Sequence, residues 1–307
     1  MTGGTIKGAE EAMSDKGERP LCVDVVIPIY NEPQEAFEET LRACLQQSCQ
    51  VNRIIIVDDG STEPVSLPNW AKPLNQIALL RLSHNQGISA ARNQAIACSN
   101  SALLACINAE VVPDTDWLDT CKNYLSTNPK VGACYTRIMP ERPDRLLTQW
   151  RMRFHETHFG EYTGVSRFAP GHAVLFRREA LDSVGGYDPR YRRNGEDSDI
   201  CGRMKEVGWE THYVAKGQCI SIQRDSFKRL AEKQLLRDSS WASPTEGSLI
   251  RLYVFLTKWT LIRAGRNLLK GRLSFLPIDA GIWACAVWMA TNSRLRSKQI
   301  TRTVNSP

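Results

Sequence analysis

The stretch Arg53-Ile-Ile-Ile-Val-Asp-Asp-Gly-Ser61 constrains this chain more than any other. Ile54 to Val57 is a continuous run of β-branched residues without polar alternation. Such a run suits a strand buried on both faces, as in a parallel sheet covered by helices. It stops at Asp58, Asp59, Gly60 and Ser61, all turn-forming residue types. In open α/β sheets, ligands bind in the crevice beyond the carboxyl ends of the strands. The two acids are therefore turn formers or ligand contacts, and this stretch leaves both open.

The same pattern recurs along the first half. Val23–Ile27 reads as a strand ending in Pro28-Ile-Tyr30-Asn31-Glu32. Phe37, Leu41, Cys44 and Leu45 then follow helical spacing, behind a first turn that opens with Pro33 and carries acids. Ile77–Leu82 and Ala102–Ile107 predict further strands, with a helix through Ile88–Cys98 between them. Polar residues sit at each strand end: Tyr30-Asn31, Asp58-Asp59, His84-Asn85 and Asn108-Ala-Glu110. Four such ends on successive strands describe one ligand crevice. Alternating strands and helices predict a largely parallel α/β sheet with right-handed connections.

The second half is less regular. A helix is expected over 144–157, a strand over Gly171–Arg177 and a helix over Arg178–Val184. The acidic cluster Glu196-Asp197-Ser-Asp199 opens a helix, and Thr211–Val214 predicts a last strand. Helices over 226–240 and 249–270 follow. By position alone, Asp197 is a helix N-terminal acid stabilising the dipole, a role open equally to Glu196 and Asp199.

Five pieces in order carry a resemblance: Val-Ile-Pro-Ile-Tyr-Asn-Glu (26–32), Ile-Val-Asp-Asp-Gly-Ser (56–61), His-Asn-Gln-Gly (84–87) with Ala-Ala-Arg-Asn (90–93), Phe-Arg-Arg-Glu-Ala-Leu-Asp-Ser-Val-Gly-Gly-Tyr-Asp (176–188), and Gly-Glu-Asp-Ser-Asp-Ile-Cys-Gly-Arg (195–203). Over roughly residues 22–215 the chain resembles an inverting family 2 glycosyltransferase of GT-A fold. The resemblance implies a Rossmann-like, mostly parallel sheet with a C-terminal helical extension. It implies a nucleotide-sugar donor, a UDP-sugar foremost, and a hydroxyl acceptor on a glycan or lipid-linked glycan. Pro28, Tyr30, Asn31, Glu32, Asp58, Asp59, Arg92 and Asn108 would lie on the donor side, with the two aspartates holding the nucleoside. Asp197 would be the general base, and His172 and Glu196 would lie on the acceptor side. Where the family usually has Asp-x-Asp, this chain has Asn108-Ala109-Glu110. Glu110 would be the ligand for Mg²⁺ or Mn²⁺, at a site weakened by the lost charge at Asn108. That departure keeps a second class open, a sugar-nucleotide or glycan-binding module impaired in catalysis. Gln234-Leu-Leu-Arg237 with Trp241 is only faintly similar to the Gln-x-x-Arg-Trp element of processive members, the tryptophan being displaced.

Charge divides the chain. Residues 221–307 hold 15 Lys and Arg against 5 Asp and Glu, whereas the first 220 hold 24 against 28. A basic tail on a slightly acidic body points to an anionic partner for the tail alone. Leu249–Leu269 mixes apolar residues with Arg251, Lys258, Arg263 and Arg266, which suits a membrane interface. Phe275–Ala290 is apolar but contains Pro277 and Asp279, and falls short of the roughly 20 residues needed to span a bilayer. The expected organisation is a disordered segment over 1–20, a catalytic domain over 21–225 divided near 115, and a helical tail over 226–307. Ten cysteines without metal spacing predict reduced thiols and a cytoplasmic chain, peripheral at the membrane through its tail. His155 and His158 read as surface residues. No phosphate-binding Gly-x-x-x-x-Gly-Lys loop or nucleic-acid module is present, so neither an NTPase nor nucleic-acid binding is expected.

Overall fold

A computed structural model describes residues 22–152, 160–233 and 249–304. His155, His158, Gln234, Arg237 and Trp241 lie outside the described residues, as do the N-terminal 21. The first half comprises β1 (Val23–Ile29), α1 (Gln34–Leu45), β2 (Val51–Asp58), β3 (Ile77–Arg81), α2 (Ile88–Ala97), β4 (Leu103–Ile107), β5 (Val111–Pro113) and α3 (Trp117–Thr127). The second comprises β6 (Val131–Pro140), α4 (Leu146–Met152), β7 (Gly164–Val165), β8 (Ala173–Arg177), α5 (Arg178–Ser183), α6 (Glu196–Glu206) and β9 (Glu210–Ser221). A helical stretch covers 227–233, followed by α7 (Leu249–Leu269) and α8 (Leu276–Val304).

One sheet runs in the order β3-β2-β1-β4-β8-β6-β9-β5, with β7 paired to β9. β3, β2, β1 and β4 are mutually parallel. Beyond them the sheet is mixed: β8 is antiparallel to both β4 and β6, while β6 and β9 run parallel. The expected parallel pattern thus describes β1 to β4, where α1 joins β1 to β2 and α2 joins β3 to β4, while β2 reaches β3 through a loop without a helix. β8 enters antiparallel between β4 and β6, and the last strand is longer than the short run expected, reaching Ser221.

The unbroken run in β2 is explained by its two faces. Ile54 and Ile56 pack with α1 and α3 residues such as Phe37, Leu41 and Trp117. Ile55 and Val57 pack on the opposite face with Ala91, Ala95, Ile200 and Met204 of α2 and α6. All four are fully buried, each contributing about 1.5–3 kcal/mol against exposure. Among the cysteines, burial alone pushes the Cys44 thiol up to about 12, so it acts as a small apolar residue.

The tail has a third core, in which Trp150 of α4 packs with Leu230, Leu256, Phe275, Ile278 and Ile282. Within it, α8 runs unbroken past Pro277, which stands in the first turn where its missing N–H is tolerated. The stretch Leu273–Asn292 is 20 residues long with mean hydropathy 1.5, so by length and composition it can cross a bilayer. This corrects the shorter reading from sequence. Asp279 does not interrupt the helix because its carboxylate is bound internally, by Trp150 and Asn267.

Candidate active site at the ends of strands 1, 2 and 4

The chain passes from β1 to β2 on one side and returns from β3 to β4 on the other. That makes the gap between β1 and β4 the topological switch point of the sheet, where ligands bind in such folds. Tyr30, Asn31 and Glu32 leave β1 there, and Asn108 to Glu110 leave β4. Tyr30, just past the end of β1, is 44% exposed, whereas Pro28 is buried inside β1 opposite Val57. Asn31 takes a left-handed backbone (φ 59°), which asparagine tolerates. Its N–H donates to Ser61 Oγ at 3.0 Å and its Oδ1 accepts from Thr62 N at 2.9 Å, tying this turn to the end of β2.

Both aspartates at the end of β2, Asp58 as its last residue and Asp59 just beyond, are almost fully buried. Asp58 accepts from the N–H groups of Ser61 (2.8 Å) and Val65 (3.2 Å), and from Arg81. Burial works to raise its pKa, but these donors outweigh it and hold the carboxyl below its ordinary value. Asp59 accepts from the N–H groups of Gln86 (2.7 Å) and Gly87 (2.8 Å) and from Asn85 Nδ2 (3.1 Å). It therefore shapes the loop before α2. Gly60 stands between them at φ 68°, and a Cβ there would lie 2.5 Å from the His84 carbonyl carbon. Arg81 and the backbone of Gln86 and Gly87 had no sequence signal as partners.

Arg92 is the hub on the other side of the crevice. It is 1% exposed and donates to Asn108 Oδ1 (3.1 Å), Gly171 O (2.7 Å) and Glu196 Oε1 (3.1 Å). Burial opposes its charge, yet Tyr187, Glu196 and the other neighbours outweigh this and raise its pKa. Glu196, 6% exposed, is shifted upward by burial, with Arg92 pulling the other way. Its carboxylate faces Arg92 and serves to hold that guanidinium.

Asp197 follows at the start of α6, half-buried, with Oδ2 accepting from Gly171 N at 3.2 Å and Oδ1 from Ser198 N at 2.8 Å. Gly171 so links Asp197 to Arg92. His172 sits beside it, and its carbonyl accepts from Asn108 N at 2.8 Å. The residues expected on the donor and acceptor sides are thereby joined through Arg92, Asn108 and Gly171.

Glu110 departs from expectation. Its Oε2 accepts from Arg229 in the 227–233 stretch, a residue outside every motif. Glu32 lies near, its carboxyl pushed up to about 7 by burial first and by the charge of Glu110 as a further cause. Among the described residues no group of three or more His, Cys, Asp or Glu converges to hold a metal ion. Hard cations take carboxylate and carbonyl oxygens. Here the Asn108 and Glu110 oxygens each face a guanidinium, which repels a cation, so this arrangement does not fit the expected Mg²⁺ or Mn²⁺.

Residues 24–185 match the family described as Glycosyl transferase family 2, just over half of the chain. The chain belongs to that family. It is 26% identical over 198 residues to a glucosyl-dolichyl phosphate glucuronosyltransferase of Haloferax volcanii, covering 60% of this chain and 63% of the relative. It is 30% identical over 199 residues to a pre-mycofactocin glycosyltransferase of Mycobacterium tuberculosis, covering 62% of this chain and 40% of the relative. The chain thus spans less than two thirds of the length of these relatives. Among solved structures, a mannosyltransferase of Pyrobaculum calidifontis in complex with GDP-Man and Mn²⁺ superposes with a TM-score of 0.54 at 19% identity, covering 92% of this chain and 82% of that one. GalNAc-T7 with UDP, GalNAc and Mn²⁺ gives 0.56 at 17%, covering 78% and 55%. Those likenesses establish the GT-A fold.

Proposed function

We propose that this chain transfers one sugar, with inversion, from a nucleotide-sugar donor to a hydroxyl of a glycan or lipid-linked glycan. The observation that carries this reading is the bond network joining Asp197, Gly171, Arg92 and Asn108 across the crevice that Tyr30 and Asp58-Asp59 border. Tyr30 offers a ring on which a base can stack. The buried loop shaped by Asp58 and Asp59 forms the nucleoside wall. Asp197 takes the acceptor proton as that oxygen attacks the anomeric carbon in line. A carbon–oxygen bond to the acceptor forms, the bond from the anomeric carbon to the phosphate oxygen breaks, and the electron pair leaves with the nucleoside diphosphate. One carboxylate suffices because a diphosphate leaves without protonation, unlike the sugar alcohol in glycoside hydrolysis. The Mg²⁺ or Mn²⁺ of the resemblance enters no step, given the arginines on Asn108 and Glu110.

Names of relatives support the acceptor class: one acts on a dolichyl phosphate-linked sugar, and another, in Arabidopsis thaliana, is a glucomannan 4-beta-mannosyltransferase, 29% identical over 248 residues and covering 73% of this chain and 44% of itself. A UDP-sugar is the first donor to try, with GDP- and dTDP-sugars beside it. Measuring transfer and donor hydrolysis across that panel tests the reading, and Asp197→Asn should lower turnover by about 10²–10⁴-fold while donor binding persists. The engaged Asn108 and Glu110 favour a second reading, a module that binds sugar nucleotides without turnover. Tight donor binding with neither transfer nor hydrolysis would select it.

The tail is assigned to the cytosolic membrane face. Leu261, Leu269 and Trp288 expose 67%, 90% and 66% of their surface on α7 and α8, beside the basic residues of the tail. Apolar and cationic residues together suit an anionic bilayer. Flotation with vesicles containing phosphatidylserine should retain the protein after a high-salt wash. Equal recovery without vesicles removes this assignment.

A further inference from the structure

Glu110 and its partner belong to a larger charged cluster. Arg229 holds Glu110 through Nη2, leaving the rest of the guanidinium without a bonded partner among the described residues. Lys233 stands four positions later, on the same face of the 227–233 stretch, and its Nζ donates to Gln223 Oε1 at 2.6 Å. Gln223 Nε2 donates to Asp225 (3.0 Å), whose other oxygen accepts from Arg151 Nε (2.9 Å). Arg151 Nη2 is buried with no hydrogen-bond partner among the described residues.

Lys233 is exposed, so its ammonium keeps N–H donors open to a further partner beside Gln223. Arg229 stands on Glu110 just after β4, and Lys233 and Arg151 are linked through Gln223 and Asp225 just after β9. The donors of Arg229 and Lys233 not taken up by these bonds form a place for an anion. Guanidinium suits a phosphate through paired N–H donors, and ammonium suits it as a point charge.

We propose that Arg229 and Lys233 hold the diphosphate of the donor in place of a divalent cation, and that Glu110 is the anchor orienting the Arg229 guanidinium towards it. This inference rests on the donor-binding reading above. It assigns Glu110 a positioning role instead of a metal-ligand role. It also brings the segment after β9 into the donor site.

Calorimetric titration with UDP and GDP, and with uridine and guanosine, tests this in EDTA and again with Mn²⁺. One diphosphate should bind in EDTA, with Mn²⁺ changing its Kd by less than about threefold. Arg229→Gln and Lys233→Gln should each weaken diphosphate binding about tenfold and leave the nucleoside unaffected. Unchanged nucleoside binding also reports that each variant is folded. Diphosphate binding that needs Mn²⁺, or that both variants retain in EDTA, overturns the inference while leaving the donor reading intact. Absence of binding by any nucleotide or nucleoside in either condition overturns the donor reading, and this inference with it.

Discussion

Arg92 and Glu196 form an ion pair of 3.1 Å with side chains 1% and 8% exposed, joining α2 to the first residue of α6. The pair stands one position before Asp197, and Arg92 also grips Gly171, whose N–H holds the Asp197 carboxylate. Removing one partner of a buried pair leaves the other charge without compensation and costs about 3–5 kcal/mol. Glu196→Ala should therefore lower the urea midpoint strongly. Under conditions where it remains folded, kcat should fall more than donor KM rises, because Asp197 loses its support. Equal stability of wild type and variant would show that the pair does not carry this load.

Asp58 predicts an acid-side dependence. Its folded pKa lies below the ordinary value, since hydrogen bonds and Arg81 outweigh the burial that works to raise it. The unfolded chain then binds this proton more readily than the folded one. Stability from the ionised carboxylate is present in full above the ordinary aspartate pKa of about 4, and is lost as pH falls through it towards the lower folded value. The gap in denaturation midpoint between wild type and Asp58→Asn should close between about pH 5 and pH 3. A gap that stays constant over this range would assign the stability to packing instead.

Asp59 and Gly60 act on one loop. Asp59 accepts the N–H groups of Gln86 and Gly87, and Gly60 lets the two turns meet. A Cβ at Gly60 would meet backbone atoms at 2.5–2.7 Å, and the left-handed φ adds about 1–2 kcal/mol for any L-residue. Gly60→Ala and Asp59→Ala should both raise donor KM more than they lower kcat. Initial-rate kinetics with varied donor would check this, and a pure loss of kcat would remove the loop from the nucleoside wall.

Ile54 to Val57 was legible because burial on two faces leaves a pattern in a single stretch, and the structure packs alternate residues against different helices. Strand ends were legible for the same local reason. The partners of the acids were not. Arg81 reaches Asp58 across 23 positions, Arg92 reaches Glu196 across 104 and Arg229 reaches Glu110 across 119. Arg92 stood out through its Ala-Ala-Arg-Asn setting but its partner did not, and nothing in the immediate neighbours of Arg81 and Arg229 separates them from other arginines. The mixed second half was hidden likewise, because strand direction in β8 is set by its pairing with β4 and β6, and not by its own residues.

Asp279 shows how a tertiary contact can reverse a local reading. In sequence it interrupts an apolar stretch. In the fold it is 1% exposed, its Oδ1 accepts from Trp150 Nε1 at 2.9 Å and its Oδ2 from Asn267 Nδ2 at 2.6 Å, with Arg263 Nε 3.9 Å away. Through Trp150 the carboxylate fastens α8 to α4, and so the tail to the segment that follows β6. Asp279→Ala withdraws a counter-charge from buried Arg263 and an acceptor from two donors, with a cost of about 3–5 kcal/mol. That loss falls on the third core, which is separate from the two flanking the sheet. Limited proteolysis should then cut the tail of the variant at a denaturant concentration where the sheet domain stays protected. Asp279→Asn, which keeps an acceptor for Trp150, should lie between. Simultaneous loss of tail and domain would mean that the three cores unfold as one unit.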